Sequence, residues 1–194
     1  MAITRLGPNN STNISGINLT SQVTGTLPTG NGGTGATSFS PGKILQVVNS
    51  INSYQESASS TSLSDILSAS GTTWETAITP SATSSKIYAL AHISWYTEAT
   101  SAQSDNRVFL RMFKKIGSGS YSAVMNTPYT GLYFYSAQKE DVSNIVQPFQ
   151  NLSSPNTTDA VTYKFDKKSL NATGYNLVIN YGCTSTITLM EIAG

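Results

Sequence analysis

Lys86-Ile87-Tyr88-Ala89-Leu90-Ala91-His92-Ile93-Ser94-Trp95-Tyr96 is the longest strand-like run in the chain. Ile87, Ala89, Ala91, Ile93 and Trp95 fall on one face of an extended backbone, and Tyr88, Leu90 and His92 on the other. Both faces are apolar. A strand of this kind is expected to be central and buried on both sides, or buried on one side and set against a neighbouring subunit on the other.

The same reading extends in both directions. Downstream, residues 107–116 place Val108, Leu110 and Met112 on one face and Phe109 and Phe113 on the other. Gly117-Ser118-Gly119-Ser120 makes a turn, and strands are expected at 121–125, 131–135 and 145–149. Residues 158–166 alternate cleanly, with Val161, Tyr163 and Phe165 opposed to Thr162, Lys164 and Asp166. Residues 175–181 and 184–193 read as a last hairpin. Upstream, residues 43–57 supply one or two strands bounded by Pro41-Gly42, and 74–79 a short one ending at Pro80. Residues 58–72 are rich in Ser, Thr and Ala, and the spacing of Leu63, Ile66 and Leu67 suggests a helical turn. Short strands at regular spacing with turn-rich connections predict an all-β domain over residues 41–194, an antiparallel β-sandwich or jelly roll.

Composition fits that class. Charged residues make up 11% of the chain, and the net charge is +1. Ser and Thr supply more than a quarter of it, so solubility rests on hydroxyls and amides. Thr and aromatic residues suit pleated surfaces. The basic residues are scattered, the densest group being Arg111, Lys114 and Lys115, and this argues against nucleic acid as a partner. Cys183 is the single cysteine, so no disulfide within the chain is possible. The start, Met1-Ala2-Ile3-Thr4-Arg5, has no apolar core of a signal peptide, and no apolar run is long enough to span a membrane.

Residues 1–40 differ from the rest. The first 24 hold one charge, Arg5, and no aromatic ring. Their apolar residues, including Ile14, Ile17, Leu19 and Val23, are too few to close a core. They read either as a leader without fixed structure or as an arm that orders against a partner, for instance by strand addition. A charge-free junction follows, Gly25-Thr26-Leu27-Pro28-Thr29-Gly30-Asn31-Gly32-Gly33-Thr34-Gly35-Ala36. Glycine and proline disfavour helix there, and the Asn-Gly and Gly-Gly pairs favour turns. This junction resembles the GTLP…NGGTG element of bacteriophage tail fibres and related virion appendages. Residues 42–192 resemble, more loosely, the β-rich tip domains of phage structural proteins from marine and cyanobacterial phages. The resemblance implies that Ile14, Ile17, Leu19, Val23, Leu27, Asn31, Gly32, Gly33 and Gly35 belong to an extended docking arm on other phage proteins. It also implies a homotrimeric tip.

No catalytic constellation is legible. His92 is the only histidine and sits mid-strand, as a core or interface residue would. Cys183 reads as a buried, inert thiol. A zinc site needs more Cys and His than one of each. Glu140 and Asp141 are adjacent, so on a strand they would point apart rather than form a hydrolase pair. The glycine-rich junction lacks the Gly-Lys-Ser/Thr ending of a phosphate loop. The expectation is therefore a protein without enzymatic activity, cofactor or metal. Its ten tyrosines are the one chemical excess. Tyr129, Tyr133 and Tyr135, with Asn156 in another loop, are candidate contacts to a host-surface glycan or protein, because such rings pair an apolar face with a polar tip. The expected setting is the virion, made in the host cytoplasm. The expected role is a tail fibre or similar appendage, with a capsid decoration protein as the alternative and a polysaccharide-degrading spike as the third reading.

Overall fold

The computed structural model describes residues 44–58, 62–99, 107–124, 132–133, 142–169 and 175–194. The chain divides at Pro41 and Gly42, so the arm and its nine named residues lie outside the described part.

The organising strand is β5 (Lys86–Ala99), fourteen residues long. Along one side it pairs with β9 (Val142–Ser153). Along the other it pairs first with β12 (Ser185–Ile192) and then with β11 (Tyr175–Ile179). Outside these lie β1 (Ile44–Asn52) on β12 and β2 (Glu56–Ala58) on β11. The six strands thus form four rows, β1/β2, β12/β11, β5 and β9. All pairings are antiparallel.

The second sheet repeats the plan around β10 (Val161–Ser169). One neighbour row is β4 (Glu75–Ile78) with β3 (Ser64–Asp65), and the other is β6 (Arg107–Ile116). β7 (Ser122–Ala123) and β8 (Leu132–Tyr133) form the row beyond β6. Numbered by chain order, the eight rows stand as 1-8-3-6 in the first sheet and 2-7-4-5 in the second. The chain changes sheet at nearly every step, and this interleaving of two four-row antiparallel sheets is the jelly roll.

The alternation read from the sequence determines which faces meet. Ile87, Ala89, Ala91, Ile93 and Trp95 are fully buried against Val161, Tyr163, Phe165, Val108, Leu110 and Met112 of the opposite sheet. Each large apolar side chain so buried contributes about 1.5–3 kcal/mol. Phe149 meets Phe165 edge-on with ring centres 5.0 Å apart. Polar tips are satisfied across the core. The Trp74 indole donates to Ser50 Oγ at 2.7 Å, and the Tyr163 hydroxyl lies 3.0 Å from Ser153 Oγ. Pro148 falls in β9, at a sheet edge, where a missing N–H is tolerated.

Three sequence expectations are corrected. First, β5 is not buried on both sides, since Tyr88 and Leu90 are half-buried and His92 is exposed. Second, the described part of 58–72 contains no helical turn. Ile66 N donates to Phe165 O, Trp74 N donates to Ile66 O, and Leu67 bridges Thr73 around Gly71 at φ +77°. Backbone groups that a helix would pair internally are taken by neighbouring strands. Third, residues 175–193 are not a hairpin. β11 and β12 both run antiparallel to β5 and follow one another in a single row. Positive φ at Asn180 and Gly182 forms the step between them.

Candidate functional site

Two broad faces remain outside the core, and they differ in chemistry. On the first sheet the register sets Val47, Met190, Tyr88 and Leu152 side by side across the four rows. The next line is Asn49, Thr188, Leu90 and Gln150, and the next Ile51, Thr186, His92 and Pro148. No Asp, Glu, Lys or Arg occupies any of these twelve positions. Val47 is 56% exposed, Ile51 66% and Leu152 57%, with Val146 exposed beside them. The polar groups of the middle line pair within the face. Asn49 Nδ2 donates to Thr188 Oγ1 at 2.8 Å, and the Tyr88 hydroxyl donates to Gln150 Oε1 at 2.8 Å.

On the second sheet the outward positions are Asp65, Glu75, Ala77, Phe109, Arg111, Phe113, Lys115, Thr162, Lys164, Asp166 and Lys168, seven of eleven charged. Arg111 holds Asp166 through two hydrogen bonds, of 2.6 and 3.1 Å. Lys164 pairs with Asp65, and Lys115 with Glu75 at 3.4 Å. Lys115 and Lys164 also lie over the Tyr121 ring, at 4.6 and 4.4 Å from its centre. Burial, together with the acidic neighbours Glu75 and Asp65, raises the Tyr121 phenol above its ordinary value. Tyr121 is thus part of a cation–π stack.

The buried charged groups are structural. Glu191 is 1% exposed and accepts from Ser81 N, Ser81 Oγ, Ser85 Oγ and Gln46 Nε2, all within 2.6–2.7 Å. Burial alone would raise its carboxyl, but these donors outweigh burial and hold it at about 2. The clamp fastens the 79–85 connection to the first sheet, and Gln46 Nε2 adds a bond to Thr79 O at 2.6 Å. At the other end of the sandwich Lys167, 2% exposed, bridges the sheets. It donates to Glu56 Oε2 at 2.9 Å and to Asp65 O at 2.7 Å. The other Glu56 oxygen accepts from Leu67 N at 2.9 Å. Among the described residues no group of three or more His, Cys, Asp or Glu could hold a metal ion, and no helix is long and apolar enough to cross a membrane.

Of the sequence-derived contact residues, the two that are described lie at opposite ends of the domain. Tyr129 and Tyr135 lie outside the described residues, as does the Glu140-Asp141 pair. The Tyr133 backbone pairs with Arg107, at the end where β6 begins. Asn156, exposed with φ 54°, lies between β9 and β10 at the opposite end, where Ser153 pairs with Ile87 and Val161 with Ile116. That is also the end at which β1 begins, since Ile44 pairs with Ile192 and Ile192 with Lys86. His92 is on the outer face rather than in the core, and Cys183 is half-buried in the β11–β12 step rather than sequestered. Sequence reasoning missed Lys167, yet the signal was there. It continues the inward phase of Val161, Tyr163 and Phe165, where a charge demands a partner.

The sequence matches no protein-family model and no curated protein. Among solved structures it is similar to infectious bursal disease virus, Gt strain (TM-score 0.38, 11% identity, 87% of this chain and 43% of that one). The Gx strain gives TM-score 0.37 and 12% identity over 87% of this chain and 43% of that one. The VP2 subviral particle of the same virus gives 0.35 and 11% over 77% and 37%. The chain spans less than half the length of each.

Proposed function

We propose that this chain is a structural virion protein of a bacteriophage, a tail fibre or similar appendage. It docks to the particle through residues 1–40, contributes to host-surface attachment through its jelly roll, and works as a homotrimer without enzymatic activity. The observation that carries this reading is the junction Gly25-Thr26-Leu27-Pro28…Asn31-Gly32-Gly33-Thr34-Gly35, preceding in sequence a jelly roll in which, among the described residues, the buried charges Glu191 and Lys167 hold the fold. β1 starts at one end of the sandwich, so the target-facing end in this reading is the other, where Tyr133 lies.

A capsid decoration protein would share the composition and the fold. Immunogold electron microscopy of purified particles separates the two, with label expected on the tail and not on the capsid shell. Deleting residues 1–24 tests the docking role. The truncated chain is expected to keep its β-sheet circular dichroism and melting temperature while disappearing from purified particles. Normal occupancy of the truncated chain would rule out docking through the arm.

A further inference from the structure

We infer that the outer face of the first sheet is the surface on which a second copy of this chain sits. The inference rests on the proposal that the chain assembles with itself, and it names the surface.

The distribution of charge is the first reason. The chain has few charged side chains, and seven of them line the outer face of the second sheet. None stands at the twelve central positions of the first. An antiparallel sheet facing water normally alternates apolar-in with polar-out. Here Val47, Met190, Tyr88 and Leu152 form an unbroken apolar line across all four rows.

The polar groups on the face are the second reason. Asn49 and Thr188 bond each other, as do Tyr88 and Gln150. Covering the face therefore leaves these two donors paired, which lowers the cost of burying them.

Size is the third. Four rows at roughly 4.8 Å spacing and nine residues at about 3.3 Å give the whole outer face, with Lys86 at one edge, about 570 Å². Two such faces meeting one-to-one remove about 1,100 Å², just above the roughly 1,000 Å² at which a specific interface begins, whereas a face divided between the two neighbours of a trimer removes about 570 Å² per contact.

The occupant follows from the same chemistry. A charged partner would find no counter-charge at the centre of the face, whereas a centre with no formal charge is complementary to its own copy. The β1–β12 half carries Val47, Ile51 and Met190, and the β5–β9 half Tyr88, Leu90 and Leu152. Both halves are apolar, so the face can meet one neighbour or be divided between two.

The test is sedimentation velocity on the full chain at micromolar concentration, comparing native protein with Met190→Glu, Leu152→Glu and, on the second sheet, Lys168→Glu. Native protein and Lys168→Glu are expected to run as the same multi-chain species. Met190→Glu and Leu152→Glu are expected to run as single chains, with association weakened about 30-fold or more. Leu152 is exposed, so that variant is expected to fold, and unchanged circular dichroism confirms it. If both face variants keep the native mass, this face is not the interface, although self-assembly stands. A native protein running as a single chain overturns this inference and the trimer together. Absence from purified particles, with face-dependent assembly intact, would remove the virion reading and leave this one.

Discussion

The two sheets share one core and one topology but meet their surroundings in opposite ways. The second sheet covers its outer side with ion pairs and cations stacked on rings, an arrangement suited to permanent contact with water. The first leaves Val47, Ile51, Val146 and Leu152 uncovered and carries no charge at its centre. Surface ion pairs add little to stability, about 0–1 kcal/mol each. Their concentration on one sheet is therefore better understood as solubility than as strength. Where strength is drawn from charge, the charge is buried, at Lys167, at Glu191 and at Asp166 beneath Arg111.

That division can be broken by mutation, and the largest effect is expected at Lys167. Lys167→Ala leaves the Glu56 carboxylate without its counter-charge, held only by Leu67 N, and should cost about 3–5 kcal/mol in urea unfolding. Lys167→Met combined with Glu56→Gln should recover much of that loss. A cost below about 1 kcal/mol for the single variant would mean that the sheets are not tied there.

Glu191 comes next. Glu191→Gln should cost about 1.5–3 kcal/mol, the range for hydrogen bonds to a charged group. Its carboxyl lies at about 2 in the fold against an ordinary 4.5, so the folded state binds its proton less readily than the unfolded one. The stabilisation is complete above pH 4.5 and is lost as pH falls from there through about 2. Melting temperatures of the native chain should fall across that window, and those of Glu191→Gln should fall less. Parallel curves would assign the acid sensitivity to other carboxylates.

The smallest effect belongs to the second sheet's surface. Lys115→Ala, which breaks the pair with Glu75, should shift stability by no more than about 1 kcal/mol, and less in high salt. A larger, salt-independent loss would show that this face is structural after all.

Much of the fold is legible in the sequence because a two-residue period reports burial directly. Odd positions from Ile87 to Trp95 and from Val161 to Phe165 are the core in both readings. The period reports neither the partner of a strand nor which connection turns back. Residues 175–193 have the pattern of a hairpin, yet both halves extend along β5, because the chain steps at Asn180, with φ 58°, and is held there. Its side-chain Nδ2 donates to Tyr54 O at 3.0 Å and its Oδ1 accepts from Ser185 Oγ at 2.6 Å. Leu63, Ile66 and Leu67 mimic a helix because three apolar residues in five satisfy either period, and only Phe165 and Trp74 decide between them. The apolar outer side of β5 was visible in Tyr88 and Leu90. Its extension to Val47 and Leu152 depends on register, which one strand's sequence does not encode.

The way β1 enters the sandwich also bears on force. A pull on the chain through Ile44, resisted at the far end of the domain, acts along the axis of β1. The eight residue pairs that β1 makes with β12 then share the load together, in shear, rather than opening one after another like a zip. Bonds loaded side by side fail only as a group. A tether attached at this point would transmit tension into the broadest part of the first sheet before any strand peeled away.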